Sequence, residues 1–328
     1  MKKIRMEDFE RELSRWGTVF KRTEEGFMEK DTLFSGRSRQ SPKEFLLPRE
    51  EVLFVARKSK DDVEILPSKP SKKKVVFGAL PCDMKGLELT SKNFMQDPQD
   101  PYFKKRMENT LFVSEMCQYP SSSCFCRTFG FGPRAQMGDI TYFKLDEDTV
   151  LTIPLTDKGK HALKWENYPE AEPQDLKIME NVLSEVEKKV EKLDLSYDFN
   201  RQREVYGSDV LNESVFHCIN CGACTFVCPT CYCFDIRDVK RKDFVIRERV
   251  WDSCMYFVYS LEASGHNPRK ERTKRAQNRF MHKFFYQPLQ YKEYGCTGCG
   301  RCIDTCPAGY DIRQTVLKIQ SFLEGQNG

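Results

Sequence analysis

The sequence predicts an α+β protein, with a mixed α/β domain over 1–200 followed by an α-helical, cysteine-rich domain over 201–328. Three observations predict it: short apolar runs of strand length in the first half, an apolar ladder at helical spacing in 173–193, and two matched cysteine runs in the second half. The runs 52–55, 74–80 and 110–113 read as short buried strands. After Pro81 a helix is expected, with Met84, Leu87 and Leu89 on its apolar face. The segments 142–145 and 150–153 flank Asp146, Glu147 and Asp148, which predicts a hairpin. In 173–193 the residues Ile178, Val182, Val186 and Val190 recur at spacing four. A charged stretch at 197–204 marks the expected boundary, and 255–261 and 268–286 have helical composition, with Pro268 suited to a helix start.

A chain of 328 residues accommodates about two domains, and its 39% hydrophobic and 12% aromatic content suffices for real cores despite 31% charged residues. The formal charge of +4 gives no argument for a nucleic-acid partner. Fifteen cysteines, an odd number in a chain of this length, do not describe a disulfide framework. Met1 to Arg5 run into charged residues 7–12 without an apolar core, and no segment reaches membrane-spanning length. A cytoplasmic protein is expected.

Cys218, Cys221, Cys224 and Cys228 form one CxxCxxCxxxCP run, and Cys296, Cys299, Cys302 and Cys306 form a second. Each is the bacterial ferredoxin-type signature of a [4Fe–4S] cluster, in which the fourth cysteine ligates the other cluster of a two-cluster protein. The expected ligand sets therefore cross: Cys218, Cys221, Cys224 and Cys306 hold cluster 1, and Cys296, Cys299, Cys302 and Cys228 hold cluster 2. Paired zinc knuckles are the competing reading of CxxC spacings, but eight cysteines in two matched runs fit local zinc tetrahedra poorly. The 67 residues between Cys228 and Cys296 exceed what a compact ferredoxin needs, so inserted helices are expected there. The second half is thus read as an α-helical ferredoxin-like domain.

Seven cysteines remain. Cys82 follows a strand and opens a helix, Cys117 ends another strand, and Cys124 and Cys126 share a loop with Gly130 and Gly132 nearby. Strand ends on one edge of an α/β sheet are where such folds build sites, so these four can form a third [4Fe–4S] site. Spacing alone leaves the alternative of four buried structural thiols open. Three readings stand for Cys231, Cys233 and Cys254: an incomplete metal site, replacement of one of the ligands above, or, the favoured one, packing around or supporting a cluster. The basic run Arg269, Lys270, Arg272, Lys274, Arg275, Arg279 and Lys283 reads as a solvated helix, or as charge offsetting anionic clusters, before it reads as a nucleic-acid patch. The four histidines form no ligand-spaced set. With no G-x-G-x-x-G fingerprint or P-loop, flavin and NAD(P) are expected on another subunit.

The order of Pro81-Cys82-Asp83, Cys117 to Cys126, Cys218 to Cys233, Trp251 to Met255 and Cys296 to Pro307 resembles one family of iron–sulfur subunits. It comprises the beta subunits of cytosolic sulfhydrogenases, the corresponding iron–sulfur subunits of anaerobic sulfite reductases, and related components of flavin oxidoreductase–heterodisulfide reductase complexes. The resemblance covers about residues 70–320. It implies an electron-transfer subunit between a flavin- and NAD(P)-binding partner and a catalytic redox subunit, within a hetero-oligomer of an anaerobic cell. It also adds weight to the third cluster. The reading is a multi-cluster relay without a substrate pocket; its rivals are an autonomous iron–sulfur or thiol reductase, and a nucleic-acid-binding protein with structural clusters.

Overall fold

A computed structural model describes residues 1–58, 62–68 and 72–325; the last three residues of the expected second domain lie outside them. The chain opens with β1 (Lys2–Arg5), α1 (Met6–Ser14), β2 (Thr18–Arg22) and β3 (Phe27–Met28). Next come β4 (Glu50–Lys58), β5 (Val63–Pro67), β6 (Lys74–Ala79), α2 (Pro81–Phe94), α3 (Pro101–Asn109) and β7 (Thr110–Glu115). The expected hairpin follows as β8 (Ile140–Lys144) and β9 (Thr149–Pro154), antiparallel with Tyr142 opposite Thr152. Then come α4 (Asp157–Ala162) and α5 (Pro173–Lys189).

Seven strands form one sheet in the order β1-β9-β8-β7-β6-β2-β3. Its centre, β2, β6, β7 and β8, is parallel. The central β6 and β7 are buried almost throughout, as parallel strands covered on both faces must be. Phe9 of α1 packs edge-on against Phe77 and Tyr142 on one face, while Leu87 and Phe94 of α2 belong to the core on the other. α2 begins as its sequence dictates, with Pro81 in the first turn and the Asp83 carboxylate accepting from the Leu80 amide at 3.2 Å.

The second half holds α6 (Gln202–Val205), α7 (Asp209–Val215), α8 (Ala223–Phe226), β10 (Phe234–Lys240), β11 (Phe244–Trp251), α9 (Arg272–Met281), α10 (Gln287–Tyr291), α11 (Arg301–Asp304) and α12 (Ile312–Gly325). Its core packs Leu211 and Val215 of α7 with Phe280 of α9 and Val316 and Ile319 of α12.

Four expectations change. Residues 52–55 do form a strand, but β4 lies in a separate antiparallel sheet, β10-β11-β4-β5, with Val52 exposed rather than buried. The β10–β11 hairpin sits where a helical middle was expected, and it pairs with β4 from the first half, so the two halves meeting near residue 200 share a sheet. Residues 255–261 form only a single 3-10 turn, Phe257–Ser260. On α5, Ile178 is exposed whereas Leu183 and Val186 are buried, with Leu183 against Phe143 and Leu151. Four helical residues advance past a full turn by about 40°, so a ladder at spacing four drifts off the buried face.

The helix expected over 268–286 begins at Arg272 and runs through a π-helical turn, His282–Tyr286, into α10. Such wide turns are commonest at functional sites. Here the continuous helix carries Arg275, Arg279 and Lys283 inward, where all three are buried, so this part of the basic run presents no stripe to solvent.

Candidate metal centres

The two cysteine runs adopt the same local structure. In each, the residue two after the first cysteine has positive φ (Asn220 at 56°, Gly298 at 61°), as does the glycine four after it (Gly222 at 79°, Gly300 at 72°). Each loop ends in a one-turn helix, α8 or α11. The Asn220 amide donates to Cys218 Sγ and the Gly298 amide to Cys296 Sγ, both at 3.4 Å. Tyr310 N donates to Cys306 Sγ at 3.3 Å. Amides aimed at sulfur stabilise thiolates and tune a cluster's potential.

A cavity bounded by Cys218, Cys221, Cys224 and Cys306 forms site 1, and Cys302 reaches its wall. Cys306 and Cys302 thus reach this cavity from the distant run. Cys228 lies within electrostatic reach of Cys296 and Cys302 of the second run, and also of Cys224 in its own. Its thiol is drawn well below the usual range, first by the hydrogen bond with Cys231 and, against its burial, by Lys283 and Arg279. Lys283 donates to Thr230 Oγ1 at 2.7 Å and to Gly295 O at 2.9 Å, fixing its charge beside Cys228.

A second cavity gathers Cys82, Cys117, Cys124 and Cys126 into site 3. Cys82 lies in the first turn of α2 after β6, and Cys117 follows the adjacent β7, so one end of the parallel sheet supplies two of the four. Cys124 and Cys126 are held against the second cysteine run: Phe125 N donates to Gly298 O at 2.8 Å. Cys299 lines this cavity too. A Cβ on Gly298 would stand 2.5 Å from the Phe125 backbone. Close approach and positive φ together predict that Gly298→Ala costs on the order of 3 kcal/mol. Anaerobic denaturant unfolding checks this, and a loss under about 0.5 kcal/mol would contradict it.

Burial pushes three of these thiols up, Cys117 to about 11 and Cys126 and Cys302 to about 12, with neighbouring thiolates adding to each. Uncompensated thiolates are thus disfavoured here, and metal binding would release protons. Buried cations answer that charge. Arg37 donates to Cys124 Sγ at 3.3 Å and also binds Cys299 O. Arg301 pairs with Asp83 at 2.6 Å beside Cys82. Arg22 pairs with Glu115 at 2.7 Å beneath Cys117. Arg279 lies against Cys224, Cys302, Cys231 and Cys228, and its Nε and Nη2 have no protein partner. Sequence reasoning anticipated compensating charge on the basic helix; it missed Arg22, Arg37 and Arg301, which come from distant segments without any local pattern.

The thiols of sites 1 and 3 stand around cavities rather than at a point, and among the described residues no three His, Cys, Asp or Glu side chains converge on a single-ion site. That arrangement, all-thiol donors and orphaned guanidinium donors fit a multi-iron cluster better than zinc. Cys233 and Cys254 hydrogen-bond each other, and Cys231 bonds Cys228.

Residues 217–310 match the family model of a 4Fe-4S dicluster domain, and these features define an iron–sulfur protein of the dicluster class, with two [4Fe–4S] clusters. Over 275 residues, 81% of this chain and 79% of the relative, the sequence is 30% identical to sulfhydrogenase 2 subunit beta of Pyrococcus furiosus. The chain belongs to that family of beta subunits. No solved structure matches it. Among the described residues no helix is long and apolar enough to cross a membrane.

Proposed function

We propose that this chain relays single electrons between a flavin- and NAD(P)-binding partner and a catalytic subunit of hydrogenase, sulfite reductase or heterodisulfide reductase type, in a cytoplasmic complex of an anaerobic cell. Cluster 1 is held by Cys218, Cys221, Cys224 and Cys306, and cluster 2 by Cys296, Cys299, Cys302 and Cys228. A third cluster is held by Cys82, Cys117, Cys124 and Cys126. Domain 1–200 carries the third, and domain 201–328 the other two. Each cubane, when bound, accepts and returns one electron.

One observation carries the reading. Cys302 reaches the cavity of site 1 while Cys299, three residues earlier in the same run, reaches that of site 3. Site 2 is therefore the middle of a row, and both neighbours are approached through its own ligands. The amides on Cys218, Cys296 and Cys306 hold the sulfurs in place, and the buried arginines and Lys283 offset their charge. The resemblance to a protein named as the beta subunit of a sulfhydrogenase supports a role inside a larger oxidoreductase.

With no dinucleotide fingerprint in the chain, NADH or NADPH alone should leave its clusters oxidised, and adding the flavin-bearing partner should reduce them. Anaerobic absorbance bleaching under each condition checks this. Rapid bleaching by NAD(P)H without flavin would overturn the relay reading.

A further inference from the structure

Site 1 is the end of the row that meets solvent. Cys221 is exposed, whereas the other seven ferredoxin-type cysteines are half-buried or buried. Around it the surface is apolar: Phe216 is 60% exposed, Val258 65%, and Ile219, Phe257, Tyr259 and Leu261 are all exposed. Two segments make this patch, 216–221 and 256–261, and hydrogen bonds clamp them together. Asn220 Nδ2 donates to Met255 O at 3.1 Å, and the Tyr256 hydroxyl donates to Cys221 O at 3.4 Å. The rings are held by cations from the next helix, with Arg272 6.0 Å from the Phe216 centroid and Arg275 5.8 Å from that of Phe257. Apolar patches of this kind on a soluble surface mark interaction sites.

The rim is basic. Between 262 and 274 the sequence places Arg269, Lys270, Arg272 and Lys274 against only Glu262 and Glu271. Arg272 donates to Phe216 O at 3.0 Å, at the edge of the patch, and both Arg272 and Lys270, two residues before it, are exposed. An apolar centre with a charged rim is the anatomy of a protein interface, and the rim's charge selects and steers its partner. Redox encounters are characteristically small, which suits a patch of two short segments.

We propose that this face docks an acidic one-electron carrier protein, whose own redox centre is brought against Cys221 by apolar contact within a ring of opposite charge. The inference rests on the relay reading and adds to it a second entry point, apart from the flavin-bearing partner, and the chemistry of the carrier that uses it. Transfer is one electron, from the carrier's reduced centre to the cluster at site 1, with no bond made or broken.

The test uses the full chain with its clusters reconstituted, and a reduced, acidic bacterial 2[4Fe–4S] ferredoxin as the probe, followed by stopped-flow absorbance. Lys270→Glu with Arg272→Glu is expected to slow reduction at least tenfold at low salt and to flatten its dependence on ionic strength. Val258→Asp, at an exposed position, should slow it comparably, while reduced methyl viologen should reduce all variants at one rate. Failure of viologen to reduce the wild-type clusters would defeat the relay reading itself. Clusters that viologen reduces, but that ferredoxin reduces either not at all or with rate and salt dependence unchanged by the substitutions, would overturn the docking face alone.

Discussion

Replacing Arg279 with glutamine is expected to lower the reduction potentials of both ferredoxin-type clusters together, with at least a tenfold change in each reduction equilibrium, or about 59 mV for one electron. The side chain is 5% exposed, and it is set between the two sites, with Cys224 of one and Cys302 and Cys228 of the other as its charged neighbours. Burial opposes its charge, yet those thiolates hold it protonated. Reduction adds negative charge to a cluster, so a buried cation favours the reduced form, and donor hydrogen bonds to sulfur act in the same direction. Its Nε and Nη2 make no bond to protein and are available for that role. Arg279→Lys keeps the charge and should restore most of the potential. Arg279→Leu leaves buried thiolates uncompensated and should load less iron. Redox titration followed by EPR reads each cluster separately; unchanged potentials in the glutamine variant would refute the assignment.

The second large effect is the crossed one. Cys228→Ser should alter the spectrum of the cluster held by Cys296, Cys299 and Cys302, leaving that of Cys218, Cys221 and Cys224 intact. Cys306→Ser should do the reverse. Cys306 lines the cavity with the first run, while Cys228 stands within electrostatic reach of Cys296 and Cys302 as well as of Cys224. EPR of the reduced variants, with iron content measured in parallel, distinguishes the two patterns. Each variant altering the cluster of its own run would contradict the geometry.

How far the sequence discloses this arrangement depends on how local each contact is. The ferredoxin-type runs are legible because their first three cysteines follow one another at intervals of three, and the positive-φ positions recur within each loop. The gathering of Cys82, Cys117, Cys124 and Cys126 follows from strand ends, but only once β6 and β7 are known to be neighbours. The tie that Arg301 makes to the Ser38 carbonyl leaves no signal, since its two ends lie 263 residues apart. Arg37 reaches Cys124 across a similarly unmarked gap of 87 residues. The β10–β11 hairpin did leave one: Ile236, Val239, Val245, Ile246 and Val250 are β-branched residues of the kind strands favour. Its partner strand β4 lies in the other half, so the shared sheet was not legible from either half alone.

The central claim is a row of three cubanes whose middle member is held by Cys228, Cys296, Cys299 and Cys302. Iron anomalous diffraction from anaerobically grown crystals of the full chain tests it most directly. The account predicts three separate iron clusters, about twelve irons in all, with the middle one between those four sulfurs and the outer two at Cys218, Cys221, Cys224 and Cys306 and at Cys82, Cys117, Cys124 and Cys126. Two clusters only, zinc in place of iron, or Cys228 on the same cluster as Cys218 would contradict it.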